Sequence, residues 1–209
     1  EPPSIPTLKS VHESGSTPES SFYLEFGKFI CGFADAETAI HTIFRKVSGL
    51  VDRKARAIVG GARLVDLMST IQRLAAFSEL EDSERRELTT LFSQIQTISQ
   101  FRHALIHRGV EVSEEEIISQ NVMTAKTWEA IESIKFQLSD IQAATNDLTK
   151  ITIRLYALVD KNVLKDEDVV FVTRLFAPWL YKSVLPKMSG LQPQSKNRKS
   201  SRPRRSSPT

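Results

Sequence analysis

Apolar residues recur at steps of three and four positions along most of this 209-residue chain, and this spacing constrains the fold more than any other feature. Such spacing places apolar side chains on one face of an α-helix. The first stripe predicts a helix that ends before Gly49, a residue suited to a left-handed C-terminal cap. Its members are Phe22, Phe26, Phe29, Ile30, Phe33, Ile40, Ile43, Phe44 and Val47.

Three further stripes predict three more helices. The second stripe covers residues 64–77. The third helix is predicted to begin at an N-cap residue, Asp82 or Ser83, and to end at Gly109. A long fourth helix is predicted over residues 124–159, with a spacing closer to 3.5 than to 3.6 residues.

Four amphipathic helices joined by short connections favour an all-α fold, an antiparallel up-and-down four-helix bundle with an extra C-terminal helical segment. No segment alternates convincingly as a strand, and residues 110–121 are predicted to form a polar connector, either a short strand or a turn. We expect a disordered N-terminal tail over residues 1–20, a helical domain over 21–188 and a disordered basic tail over 189–209.

Charge is distributed unevenly along the chain. The segment from Leu191 onward holds six of the 28 Lys and Arg residues and no acidic residue, which leaves 22 basic against 25 acidic residues in the rest. Contact with nucleic acid is therefore expected to be local rather than a general property of the folded part. The single cysteine, Cys31, excludes an internal disulfide framework and a Cys-based zinc site, and it favours a reducing, cytoplasmic location. No apolar run reaches the roughly 18 residues of a membrane span, so no membrane partner is expected.

One short stretch, FRHALIHRG at residues 101–109, places two arginines and two histidines at the predicted end of the third helix. His107 is expected to be accessible there, and an imidazole with an ordinary pKa of about 6.5 transfers protons near neutral pH. Arg102 supplies a guanidinium that binds phosphate and offsets charge in a transition state. This pair suits cleavage of RNA without a metal. The alternative is structural, because cations at a helix C-terminus gain about 0.3–1 kcal/mol each from the helix dipole.

Arg102 lies in phase with the buried stripe of its helix, so it is expected to need a partner inside the protein. Glu37 and His41 on the first helix are the candidates for this supporting role. The alternative for both is an ordinary polar residue at the margin of an apolar stripe.

Four further cations are candidates for contacts to RNA phosphate. In an up-and-down bundle the first and third helices run in the same direction, so their C-terminal ends meet at one pole. Arg53, Lys54 and Arg56, just after the first helix, are therefore expected beside the 101–109 stretch, together with its own Arg108. The alternative for the first three is a solvated loop.

The letters RHALIH at residues 102–107 resemble the R-x4-6-H motif of the HEPN superfamily (higher eukaryotes and prokaryotes nucleotide-binding domains). The resemblance implies an all-helical bundle over residues 22–160 and a metal-independent endoribonuclease. Such an enzyme cleaves RNA by 2′-hydroxyl attack and leaves a cyclic phosphate. Arg102 and His107 would be catalytic, and His103, which fills the polar position after the arginine, would support them.

The same resemblance implies a homodimer in which two motifs face one cleft, with RNA as substrate and no cofactor. Toxin–antitoxin or phage-defence systems are the implied settings, with a cognate antitoxin protein as a further partner. The alternative function is a non-catalytic helical module that binds a partner protein or a nucleotide. An exposed His107 favours the enzyme, whereas a His107 covered by its own chain favours the module.

Two other residue types need an interpretation. His103 and His107 have the i, i+4 spacing of a zinc-binding pair, but no acidic or Cys ligand lies in the same stretch, so no metal site is predicted. Trp128 and Trp179 are expected to anchor the core or an interface rather than to stack on bases.

Overall fold

A computed structural model of the protein describes residues 17–165 and 167–185. They form a mostly helical structure with a small three-stranded antiparallel sheet. Within these residues, no helix is both long enough and apolar enough to cross a membrane. The helices are α1 (Pro18–Ser48), α2 (Asp52–Val59), α3 (Leu64–Ala75), α4 (Asp82–His107), α5 (Leu138–Val159) and α6 (Val169–Leu175). The strands are β1 (Gly109–Val112), β2 (Ile117–Gln120) and β3 (Ser133–Phe136), and 3-10 turns lie at Trp128–Ala130 and Lys161–Leu164.

The ends of α1 explain why this helix is so well defined. At its start the Thr17 hydroxyl oxygen accepts a hydrogen bond from the Ser20 backbone N–H at 3.2 Å. Pro18 occupies the first turn, where its missing N–H costs nothing. At its end Gly49 adopts a left-handed φ of 64°, which confirms the predicted cap.

The predicted tails fall mostly on residues that the structure does not describe. Residues 18–20, assigned to the N-terminal tail from the sequence, form the first turn of α1. Thr17 is the N-cap of that helix, and residues 1–16 of the predicted tail and the basic tail over 189–209 lie outside the described residues.

α4 corresponds to the third predicted helix, but both of its ends differ from the prediction. Its N-cap is Glu81, whose backbone N–H donates to the Glu84 carboxylate at 2.9 Å in a reciprocal capping box. At the other end the helix stops at His107, and Arg108 is already extended, with φ −115° and ψ 152°. Gly109 is therefore the first residue of β1 and not a left-handed cap, because the chain passes from the helix directly into the sheet.

The all-α prediction holds only in part, because the described residues are mostly helical but also form this sheet, and β3 contradicts the prediction of one helix over residues 124–159. β1 pairs with β2, and β2 pairs with β3, in antiparallel register. In β3 the buried residues Ile134 and Phe136 alternate with exposed neighbours, which is the period of a strand. A four-residue strand is too short for this alternation to be distinguished from a helical stripe in the sequence. The predicted helix therefore included β3, whereas α5 begins only at Leu138.

The long helices do not run as an up-and-down bundle predicts. α1 and α5 are parallel, because Gly32 lies opposite Leu148 and the Lys46 ammonium donates to the carbonyl of Leu158. α4 runs the opposite way, because its earlier residue Glu87 pairs with Arg154 of α5, whereas its later residue Gln94 bonds to Asp147. α1 and α4 are therefore antiparallel, and their C-terminal ends lie at opposite poles.

Phe101 joins four parts of the structure at the pole where α4 ends. Its ring centroid lies 5.9 Å from that of Phe29 in α1, 5.3 Å from Phe136 in β3 and 5.1 Å from Tyr181 in the C-terminal segment. Offset and edge-on aromatic pairs at these separations stabilise a core beyond their buried area. These contacts fix the last two turns of α4, which carry Arg102, His103 and His107.

After α6 the chain continues as an irregular segment, residues 176–185, instead of a longer helix. The fully buried carboxylate of Asp147 holds this segment by accepting hydrogen bonds from the backbone N–H groups of Leu180, at 3.0 Å, and Tyr181, at 2.9 Å. The predicted extra helical segment is thus only seven residues long, and a buried acid replaces helical hydrogen bonds beyond it.

Tyr181 is expected to make the protein less stable at alkaline pH. Its side chain is buried, and burial raises the pKa of the hydroxyl to about 12. The unfolded chain loses this proton near pH 10 and the folded chain near pH 12, so the free energy of unfolding falls between these values, by about 2–3 kcal/mol. Urea titrations of the wild type and Tyr181→Phe at pH 7, 9 and 11.5 measure this difference.

In Tyr181→Phe this part of the decrease in the free energy of unfolding at alkaline pH is expected to disappear. At pH 7 the variant is expected to be within about 1 kcal/mol of the wild type, because the hydroxyl makes only weak contacts, with Ser183 and the Val184 backbone, and no well-formed hydrogen bond among the described residues. If the free energy of unfolding fell equally in the two proteins between pH 9 and 11.5, the raised pKa of Tyr181 would be contradicted.

Candidate active site

The two histidines of α4 form an exposed pair at the end of the helix. The ring centroids of His103 and His107 lie 4.4 Å apart, with an angle of 50° between the ring planes. Residues four apart on a helix share one face, which brings the rings together. Both side chains are exposed, so two imidazoles are available to a ligand at one place on the surface.

Arg102 packs against α1 on a different side of the helix. Its guanidinium carbon lies 4.7 Å from the centroid of the Phe33 ring, a cation–π contact. The side chain is half-buried, and its Nε is buried without a hydrogen-bond partner in the described part of the chain. The guanidinium therefore keeps unused donor capacity.

The partner predicted for Arg102 is not the one found. Glu37 is half-buried and His41 is exposed, and among the described residues no hydrogen bond or ion pair joins either of them to Arg102. The ring of Phe33, one helical turn before Glu37, takes that place. An aromatic face accommodates a guanidinium without neutralising it, so the charge stays available to an anion.

Helix geometry separates the guanidinium from the second imidazole. Five residues of α-helix correspond to a rotation of about 140° around the axis, beyond one full turn. Arg102 accordingly faces α1, whereas His107 is exposed next to His103. A phosphate bound by both side chains has to lie across the end of α4.

Arg108 connects this end of α4 to the sheet. Its Nη2 donates to the Glu132 carboxylate at 3.0 Å, and its Nη1 is buried without a partner among the described residues. Part of this guanidinium is therefore already committed to an acid, which limits its predicted role as a phosphate contact.

The three cations predicted beside the cluster lie elsewhere. Arg53, Lys54 and Arg56 are exposed on α2, where Arg56 pairs with Asp52 at 2.9 Å. α2 follows the C-terminal end of α1, about 24 Å along that helix from the level of Phe33 at 1.5 Å per residue. The expected proximity was wrong because α1 and α4 are antiparallel, so this structure does not group these cations with Arg102 and His107.

A loop that the sequence prediction did not anticipate lies beside the candidate site. The connection between β2 and β3, residues 121–132, is called the β2–β3 loop. It contains Trp128, which is 81% exposed and is therefore not the core anchor considered from the sequence. Trp179 is half-buried, with the Arg154 guanidinium 4.9 Å from its ring centroid.

Two results bear on the chemistry and the relationships of this site. In the described residues no group of three or more His, Cys, Asp or Glu side chains is placed to hold a metal ion. Comparisons of the chain with protein-family models, curated proteins and solved structures gave no match. The 102–107 motif and the geometry at the end of α4 are therefore the features from which a function can be inferred.

Proposed function

We propose that this protein is a metal-independent endoribonuclease of the HEPN type that cleaves RNA by attack of the 2′-hydroxyl. One observation carries the proposal: His103 and His107 form an exposed imidazole pair at the end of α4, one residue from an arginine with unused donors. The exposure of His107 supports an enzyme over a module in which this side chain is covered.

The chemistry follows from the ordinary properties of these groups. His107 takes the proton of a ribose 2′-hydroxyl, and the resulting oxygen attacks the adjacent phosphorus. The bond to the 5′-oxygen breaks, and that oxygen receives a proton from a second imidazole. The products are a 2′,3′-cyclic phosphate and a 5′-hydroxyl. Arg102 offsets the charge that develops on the phosphate oxygens.

A homodimer is part of the proposal. In one copy, Arg102 and His107 lie on different sides of α4. In a homodimer, the second copy would bring its own Arg102 and His107 to the same cleft and so complete the site. His103 would orient His107 or act as the second imidazole. A cognate antitoxin protein would inhibit such a site by covering the two histidines.

The experiment that tests the chemistry compares RNA with a matched 2′-deoxy substrate in EDTA. The wild type is expected to cut the RNA and to leave the DNA of the same sequence intact, because DNA lacks the attacking hydroxyl. Cleavage of both substrates would contradict the mechanism. An inert protein at micromolar concentration would contradict the proposed activity.

A second candidate is a non-catalytic module that binds a partner protein or a nucleotide, and one surface favours it. An apolar groove of about 390 Å³ lies between α5 and α6 and is lined in part by Ile153, Phe171 and Leu180. Exposed Val169 and Phe176 lie close to it in the chain. A non-catalytic module would bind its partner through an apolar surface of this kind. Such a module would not cut RNA, so the comparison of RNA with the 2′-deoxy substrate also separates the two candidates.

A further inference from the structure

The β2–β3 loop lies next to the end of α4 because of the register of the sheet. Gly109, the first residue of β1, pairs with Gln120, and Gln120 pairs with Ser133. The loop therefore leaves the sheet at the edge where the chain arrives from α4. The ion pair between Arg108 and Glu132, at 3.0 Å, ties the loop to the end of the helix directly.

Internal hydrogen bonds give this loop a defined conformation. The Asn121 side-chain oxygen accepts a hydrogen bond from the Glu132 backbone N–H at 2.7 Å, which closes the base of the loop. The Asn121 carbonyl accepts from the backbone N–H of Thr124 at 2.9 Å. A 3-10 turn follows, in which the Ile131 N–H donates to the Trp128 carbonyl at 3.2 Å. Trp128 is thus held on a short turn and not on a free strand of chain.

Trp128 is the one aromatic residue of a loop that exposes both apolar and charged side chains, among them Met123, which is 90% exposed, and Glu129. Its side chain is 81% exposed, and its chain neighbours Thr127 and Glu129 are polar and exposed. A large indole in water forgoes the burial that tryptophan usually gains. Exposed Lys126 lies two residues away, and Arg108 lies across the base of the loop. An accessible aromatic ring near a cation is an arrangement that binds unpaired nucleobases, where the ring stacks on the base and the cation binds phosphate. Lys126 and the unpartnered Nη1 of Arg108 are the available donors here, because Arg108 Nη2 already pairs with Glu132.

We propose that Trp128 is the base-stacking residue of the candidate active site and that its ligand is an unpaired base of single-stranded RNA. This inference rests on the proposed ribonuclease function for its place in a reaction, but the binding itself is testable without cleavage. Duplex RNA conceals the faces of its bases, so the protein selects single-stranded RNA.

Fluorescence of Trp128 tests the inference. The double variant His107→Ala, Trp179→Phe retains one tryptophan of the two in the chain and has lost the proposed proton-transfer group. We expect a single-stranded RNA oligomer to quench its emission to saturation, and an abasic oligomer or the matching duplex to quench it far less. Binding of labelled RNA, followed by anisotropy in the His107→Ala background, is expected to weaken roughly tenfold on adding Trp128→Ala, the loss of one stacked base.

Phe77→Ala is the matched control. Phe77 is an aromatic residue that is 92% exposed in the α3–α4 connection, at the opposite pole from the β2–β3 loop. Its removal is expected to leave RNA binding unchanged. Circular dichroism of every variant verifies that the fold is retained.

The outcomes separate this inference from the proposed function. If the wild type cuts RNA and Trp128→Ala binds and cuts equally well, the stacking role is wrong and the ribonuclease stands. If no protein cuts RNA but single-stranded RNA quenches Trp128, the stacking role stands and the ribonuclease is wrong. Absence of quenching overturns the stacking role, and so does equal quenching by the abasic oligomer, which would indicate that no base lies on the ring.

Discussion

Asp147→Ala is expected to lower the free energy of unfolding by about 3–5 kcal/mol, because it leaves several buried donors without an acceptor. The carboxylate is fully buried and accepts hydrogen bonds from the backbone N–H groups of Leu180 and Tyr181 and from Gln94 Nε2, at 2.9–3.0 Å. The Lys150 ammonium lies 3.5 Å from it. Loss of this acceptor would detach residues 176–185 from α4 and α5. Equilibrium denaturation in urea measures the effect.

Asp35→Ala and Asp147→Asn are the controls for this prediction. Asp35 is an exposed acid on α1, so its removal is expected to change the free energy of unfolding by less than about 0.5 kcal/mol. Asp147→Asn keeps one acceptor oxygen but directs an NH₂ group at donors, so an intermediate loss is expected. A stability of Asp147→Ala within 0.5 kcal/mol of the wild type would contradict the role of this carboxylate.

His107→Ala is expected to reduce the rate of RNA cleavage by about 10²–10⁴-fold, the usual contribution of a general base or acid. The side chain is exposed at the end of α4, so its removal leaves no cavity in the core, and the variant is expected to fold like the wild type. Initial rates on one single-stranded RNA, at equal protein concentration in EDTA, measure the loss.

Gln100→Ala and Arg102→Lys complete this comparison. Gln100 is exposed two turns before His107 on the same helix, so its replacement is expected to leave the rate unchanged. Lysine at position 102 keeps the charge but loses the planar contact with Phe33 and the bidentate binding of phosphate that the proposal assigns to Arg102. A large loss of activity with normal stability in Arg102→Lys supports phosphate binding, whereas a loss of stability alone supports a structural role.

The long helices were predictable from the sequence because their apolar stripes extend over several turns. α1 is the clearest case, where both the stripe and the cap at Gly49 were found. β1 and β2 fall at residues 109–120, where a short strand was one of the two predicted alternatives. β3 was not predictable in this way, because Ile134 belongs equally well to the helical steps that continue through Leu138 and Ile141 into α5. The capping box at the start of α5, formed by Gln137 and Asp140, is the local signal that would have separated them.

The directions in which the helices run could not be predicted from their apolar stripes. A stripe shows which face of a helix is buried but not which way the helix runs, and here a short pair of helices and a sheet intervene between the long ones. The predicted proximity of Arg53 to His107 was wrong for that reason. The 102–107 motif is local in sequence, so its position at a helix end was predictable. The contact of Arg102 with Phe33 and that of Arg108 with the β2–β3 loop depend on the tertiary fold.

The central claim, that His107 cleaves RNA through the 2′-hydroxyl, is tested most directly by mass spectrometry of the fragments. Wild type and His107→Ala, purified in the same way, would act on one RNA in EDTA. The proposal requires 2′,3′-cyclic phosphate ends from the wild type and none, or a hundredth as many, from the folded variant. Equal yields from the two proteins, or fragments that end in a 5′-phosphate, would contradict it.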